Sequence, residues 1–214
     1  RYLAQDEAGN IWMSHGAKGI FRITLNAEPD SVSEVKIYTA GNGLPATMQN
    51  ILFQYNNKIY ISTVNGIYEY RQAEDSFVIS EDMNDLLKIN SQLRTLEEDE
   101  SGNIWFIAEN ESGVLRQNED LTYTKITSPF KQLDERYVNG FEFIYPHSEK
   151  YVFLGIDKGF GLYSSEFTKS YSQSFPSYIT KVEVPHIDSI LYLPIPENTD
   201  ELTIPYKKNA FRFH

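Results

Sequence analysis

Two stretches of the chain set a carboxylate, a glycine, an amide and an indole at one spacing: Asp6, Gly9, Asn10 and Trp12, then Asp99, Gly102, Asn103 and Trp105. A carboxylate six residues from an indole has the makings of an acid or base beside a stacking platform for a sugar. Glycoside hydrolysis, however, needs two carboxylates in opposed environments facing one sugar, and no spacing here makes a pair converge. The run Glu97-Glu98-Asp99-Glu100 lacks the alternating oxygen ligands, the bend glycine and the late glutamate of a calcium loop, so it reads as solvated charge. Asp6 and Asp99 each open a turn, where aspartate commonly accepts hydrogen bonds from nearby backbone. A structural role is therefore expected of both, and Trp12 and Trp105 are expected to pack between neighbouring units rather than to bind sugar.

The remaining chemistry is sparse. His15, His147, His186 and His214 fall singly in different elements, so no metal-ligand spacing exists. Cysteine is absent, which removes thiolate nucleophiles, disulfides and Cys-ligated zinc and fits either cytoplasm or periplasm. Gly16, Gly19, Gly41 and Gly43 lack the preceding parallel strand and following helix of a nucleotide loop and are turn glycines. No catalytic residue, metal or cofactor is expected.

The elements that position these residues are hairpins. Ser101-Gly102-Asn103 supplies residues that tolerate positive φ, Ile104 to Ile107 is β-branched and aromatic, and Gly113 restarts a return strand ending at Arg116. The pattern recurs at Ile11-Trp12 with Gly19 to Arg22, more weakly at Ile59-Tyr60 with Gly66 to Tyr70, and in worn form at Val152-Phe153 with Gly159 to Tyr163. Aligning Trp12, Tyr60, Trp105 and Phe153 gives steps of 48, 45 and 48 residues, in the range of four-stranded propeller blades. Aromatic content of 14%, with 15 Tyr and 13 Phe, favours strands, and no long window carries a 3.6-residue apolar stripe.

The expected fold is all-β: four repeats of four-stranded blades over 1–174, forming part of a larger propeller, then 175–214 as the start of a β-sandwich. Blade one takes 2–5, 11–14, 20–24 and 33–38; blade two 51–55, 58–63, 66–70 and 76–79; blade three 94–97, 104–108, 114–116 and 121–126. Blade four takes 138–144, 151–154 and 161–163, with its outer strand poorly marked. Residues 80–89 allow a helical turn or two, and the polar run Ser170 to Ser174 before Pro176 marks a domain boundary.

A net charge of -11 over 214 residues repels nucleic-acid phosphates and anionic lipid headgroups, so this segment is not expected to bind DNA. No apolar run approaches the roughly 18 residues of a membrane span. The ends, Tyr2 to Gln5 already strand-like and Phe211 to His214 in mid-alternation, give the expectation of an excised piece.

Asp-x-x-Gly-Asn-Ile-Trp at Asp6 and Asp99, the returns Gly19 to Arg22 and Gly113 to Arg116, and Asn42-Gly43-Leu44-Pro45 with Asn50-Ile51 resemble two-component regulator propeller repeats, found largely in sensor regions of Bacteroidetes regulators. The turn also resembles the Asp box of sialidases, which is structural even in those enzymes. Blades two and four depart from the pattern, lacking its Asp and Trp. Residues 178–184, 190–192 and 202–213 resemble the opening strands of the triple-tyrosine, immunoglobulin-like domain that follows such propellers; a complete domain of that kind needs about seven strands.

The resemblance implies a periplasmic sensor anchored by a membrane span outside this segment. It implies an oligosaccharide ligand, a homodimer through the immunoglobulin-like domain, and a histidine kinase or LuxR-like output. Ligands of propellers dock at the mouth of the central channel, formed by the loops between second and third strands and by the links between blades. Loop position there selects His15, Lys18, Gln49, Asn65, Asn90, Glu111, Arg136 and Asn139 as the binding residues. Two alternatives from other classes stay open: a propeller lyase or glycosidase, and a protein-docking platform that binds no sugar.

Overall fold

β-branched and aromatic residues in alternation, cut by Gly and Asn turns, make strands that pair with their sequence neighbours. A computed structural model shows this outcome for residues 2–26, 31–167, 179–184, 189–192, 206 and 210–214. The first sheet is β1 (Leu3–Gln5), β2 (Ile11–His15), β3 (Gly19–Leu25) and β4 (Val32–Tyr38). The second is β5 (Ile51–Tyr55), β6 (Lys58–Thr63), β7 (Gly66–Arg71) and β8 (Ser76–Ile79). The third is β9 (Leu93–Glu98), β10 (Ile104–Ala108), β11 (Ser112–Gln117) and β12 (Tyr123–Ile126). All three are antiparallel meanders in sequence order, which is the blade pattern read from the repeat.

The fourth sheet is a meander of the same kind. It has three strands among the described residues, β13 (Ile144–Pro146), β14 (Tyr151–Ile156) and β15 (Gly159–Ser164). Its inner strand was expected from Val138 but begins at Ile144, because Gly140 has φ +82 and the Phe141 amide donates to the Val138 carbonyl in a tight turn.

Each blade hides one face against the next. Trp12, Ile20, Tyr38 and Leu44 of the first meet Leu52, Ile59, Ile61 and Phe77 of the second. Tyr60 and Ile67 meet Leu93, Leu96, Ile104 and Phe106 of the third, with Met83 and Leu87 of the short helix α1 (Glu81–Leu87) filling the junction. Trp105, Ile107 and Val114 meet Ile144, Val152 and Leu154 of the fourth. Full burial of such a side chain stabilises by roughly 1.5–3 kcal/mol, so the blade junctions are the core.

Two glycines are required by this packing. Gly43 has φ +83, and a Cβ there would lie 1.9 Å from the Phe77 carbonyl oxygen; the connector reaches the second blade only because that atom is missing. Gly19 has φ +88 and would place a Cβ 2.2 Å from the Tyr38 carbonyl oxygen.

The chain divides into two compact units, 1–171 and 172–214; the expected boundary at 170–176 lies outside the described residues. Within the second unit, β16 (Val182–Val184), β17 (Ser189–Tyr192) and β18 (Arg212–Phe213) pair antiparallel in the order β17-β16-β18. Most of the expected strand 202–213 lies outside the described residues.

Candidate functional site

The repeated carboxylates are saturated by their own turns. The Asp6 carboxylate accepts from the Asn10 amide at 2.9 Å, the Asn10 side chain at 2.9 and 3.2 Å, and the Trp12 indole at 2.8 Å. Asp99 repeats this with Asn103 at 3.0, 3.1 and 2.9 Å and the Trp105 indole at 2.8 Å, and adds the Ser101 amide at 2.9 Å. The asparagine then passes the order on: Asn10 Oδ1 accepts from Thr24, and Asn103 Oδ1 from the Gln117 amide. Burial alone would raise the Asp6 pKa; the hydrogen bonds from Asn10 and Trp12 outweigh it and hold the carboxyl below its ordinary range. A carboxylate so held is a clamp on the blade's indole, not a base. No group of three or more His or acidic side chains is set for a metal ion among the described residues.

Antiparallel order puts the turn between second and third strands at the same end of a blade as the link to the next blade, opposite the Asp turns. All eight expected binding residues sit at that end. His15 closes β2 with its Nδ1 accepting from the Ala17 amide at 3.1 Å, and Lys18 is exposed beside it. Asn65 is exposed in the β6–β7 turn, where its amide donates to Thr63 Oγ1. Glu111 pairs with Lys125 at 3.1 Å, and Arg136 with Asp157 at 3.2 Å. Gln49, Asn90 and Asn139 are exposed.

The structure joins some of these and leaves others apart. The buried Gln92 side chain donates to the Gln49 carbonyl at 2.5 Å and the Ser62 carbonyl at 3.1 Å, while its own carbonyl accepts from the Glu109 amide at 2.9 Å. Lys125 also reaches the Lys88 carbonyl at 3.1 Å. Gln49 and Glu111 thus belong to one hydrogen-bonded stretch of rim spanning the second and third blades, and Asn90 is exposed in the link beside it. His15 and Lys18 stand on the first blade, and Arg136 and Asn139 on the link to the fourth.

Gln92, Asp134 and Tyr137 are rim residues that sequence reasoning missed. Ser112 donates to Asp134 at 2.7 Å, and Tyr137 donates to Ser112 at 3.1 Å; burial first, then the Asp134 charge, push the Tyr137 phenol up to about 12. No spacing signal marks them, because their partners lie 20 or more residues away.

Asp75 was also missed. From the β7–β8 turn, at φ +46, its carboxylate crosses to the first blade. It accepts from Tyr38 at 2.5 Å and Tyr70 at 2.8 Å, and pairs with Lys36 and with Arg22. Arg22 in turn donates to Tyr70 at 2.8 Å, and its repeat equivalent Arg116 to Tyr163 at 3.4 Å. The arginine of the repeat is a tie between blades. Two clefts among the described residues lie elsewhere than the eight: one of about 1280 Å³ between third and fourth blades, lined by Arg116, Phe130, Leu133 and Tyr163, and one of about 220 Å³ beside Asp6, Arg22 and Tyr70.

No protein-family model and no curated protein matches the chain. Solved structures do. The extracellular domain of a protein assigned as a hybrid two-component system of B. thetaiotaomicron aligns at 16% identity and TM-score 0.48, over 90% of this chain and 23% of that one. A second such domain from the same organism aligns at 18% and 0.49, over 99% and 28%. An extracellular domain assigned to a one-component system there aligns at 16% and 0.47, over 85% and 31%. The chain spans less than a third of each. At such identity and TM-score no residue role transfers.

Proposed function

We propose that this chain is part of the extracytoplasmic sensor region of a signal-transducing regulator and that it recognises an oligosaccharide with the connector end of its blades. The observation that supports this best is the division of labour between the two ends. The motif carboxylates at one end are consumed in holding Trp12 and Trp105, while the other carries exposed amides and charges from several blades. Amide and charged side chains presented by loops on a rigid scaffold suit a polyhydroxylated ligand. The resemblance of the Asp-x-x-Gly-Asn-Ile-Trp turns to regulator propeller repeats supplies the signalling context.

In this reading the second unit transmits the event through a homodimer to a histidine kinase or LuxR-like output beyond this segment. The periplasm is its place, and no helix among the described residues is long and apolar enough to cross a membrane. Ligand shifts the signalling equilibrium only by its difference in affinity for the two states. A thermal-shift screen of the chain against oligosaccharides released from polysaccharides tests the reading, since a bound ligand raises apparent stability by mass action. Stabilisation by an oligosaccharide without its cleavage supports the sensor. Depolymerisation of a polysaccharide supports the enzyme alternative instead, and no shift with capture of a protein partner supports the docking platform.

A further inference from the structure

Blade junctions repeat, so one of them shows what another is shaped to hold. Between the first and second blades, Arg22 donates to the Tyr70 hydroxyl at 2.8 Å, and that hydroxyl donates its own proton to the Asp75 carboxylate at 2.8 Å. Arg22 also pairs with Asp75 directly, at 3.4 Å. An arginine, a tyrosine and a carboxylate thus close a triangle across the junction, and the arginine side chain is only 18% exposed.

Two corners of that triangle return between the third and fourth blades. Tyr163 stands where Tyr70 does, one residue past the partner of the blade's aromatic, since Leu162 pairs with Phe153 as Glu69 pairs with Tyr60. Arg116 donates to the Tyr163 hydroxyl at 3.4 Å. By pairing register Arg116 lies two residues further along its strand than Arg22 does, an even step that keeps it on the same face.

The third corner has no counterpart. Asp75 lies five residues past Tyr70; five past Tyr163 is Thr168, and no residue from 167 to 182 is acidic. Glu166, in the turn after Tyr163, is paired with Lys150. Among the described residues the Tyr163 hydroxyl receives from Arg116 and has no acceptor for its own proton. Arg116 is exposed, and both groups line the cleft of about 1280 Å³ between these blades. In a chain of net charge -11, the described lining of that cleft carries two cations, Arg116 and Lys131, and no carboxylate. Walls of one sign concentrate a ligand of the other.

We infer that this cleft binds a sugar acid, whose carboxylate takes at Arg116 and Tyr163 the part that Asp75 takes at Arg22 and Tyr70. A guanidinium meets a carboxylate through two parallel hydrogen bonds, and the Tyr163 hydroxyl donates a further one. Lys131 adds charge, while Ser128 and Gln132 of the link and Ser164 at the end of β15 offer hydroxyl and amide groups that both donate and accept, as ring hydroxyls require. The carboxylate is argued from the repeat alone; the sugar that carries it rests on the oligosaccharide reading above. None of the eight rim residues lines this cleft.

Calorimetric titration of the 214-residue chain with glucuronate- and galacturonate-containing oligosaccharides, each beside its carboxyl-reduced form, tests the inference. A uronate oligosaccharide is expected to bind, and its carboxyl-reduced form to bind about tenfold more weakly or worse. Arg116→Gln and Tyr163→Phe are each expected to weaken uronate binding by about tenfold, with near-ultraviolet circular dichroism checking that both variants stay folded. Absence of binding by every uronate, equal binding of acid and reduced forms, or an affinity that either folded variant leaves unchanged overturns the inference. So does a tetra-aspartate peptide that binds as tightly as the uronate, since the carboxylate would then need no sugar. The set Lys18→Ala/Asn65→Ala/Asn139→Ala separates this site from the rim. Uronate affinity lost with that set and kept with Arg116→Gln supports the rim and overturns the cleft; the reverse supports the cleft, whatever neutral oligosaccharides do at the rim.

Discussion

Asp6 and Asp99 show how one carboxylate sets a whole turn. Each ties its own loop, the asparagine four residues on and the indole six residues on. Asp99→Ala strands the Trp105 indole N–H and the Asn103 amide together, so a loss of about 1.5–3 kcal/mol is expected in urea unfolding, with red-shifted tryptophan emission. Asp6 also makes this stability depend on pH. Its folded pKa is depressed below an unfolded value of about 3.9, so its contribution is present above that value and is lost as pH falls through the folded pKa. The stability gap between wild type and Asp6→Asn is therefore expected to be full near pH 6 and to shrink below about pH 4; a gap constant to acid pH would show that charge is not what Asp6 supplies. Gly43→Ala meets both a positive φ and the Phe77 carbonyl, and a loss of at least about 1–2 kcal/mol is expected, whereas Gly41→Ala has open space and is expected to leave the urea midpoint unchanged. The aspartate's role was legible because it recurs with its partners within seven residues. The role of Gly43 was legible only as a turn, since the atom that forbids a side chain belongs to a strand more than 30 residues later.

Between elements, the ties are tryptophan packing and the crossing carboxylate of Asp75. Asp75→Ala removes the acceptor of two tyrosine hydroxyls and the partner of Arg22 and Lys36. Burial, then the Tyr70 hydroxyl, already push the Tyr38 phenol above its ordinary range, so it has no solvent to turn to. Loss of about 2–4 kcal/mol is expected, most of it recovered in a Tyr38→Phe/Tyr70→Phe/Asp75→Ala triple variant, and additive effects in that cycle would contradict a shared hub. Sequence pattern located β2, β6, β10 and α1 closely because alternation and turn residues are local signals. It misjudged the start of the fourth blade because Val138 to Ile144 alternates well, yet a glycine with φ +82 bends it into a turn. It missed Asp75 because a carboxylate in a surface turn carries no mark of the blade it will reach.

Across the whole first unit, repetition makes a scaffold with two unlike ends, Asp turns at one and blade links at the other. The eight rim residues were legible as a set by loop position, since antiparallel order fixes which turns share an end. Which of them form one surface was not, because that depends on Gln92 and Lys125 bridging loops from separate repeats. The separation of ends is the centre of the account, and its most direct test is calorimetric titration of an oligosaccharide into the chain carrying two sets of changes. Lys18→Ala, Asn65→Ala and Asn139→Ala alter the rim; Lys58→Ala and Gln72→Ala alter the Asp-turn end. The account predicts that the rim set weakens binding tenfold or more, about 1.4 kcal/mol, while the turn-end set leaves affinity as it was; loss of affinity with the turn-end set and none with the rim set contradicts it.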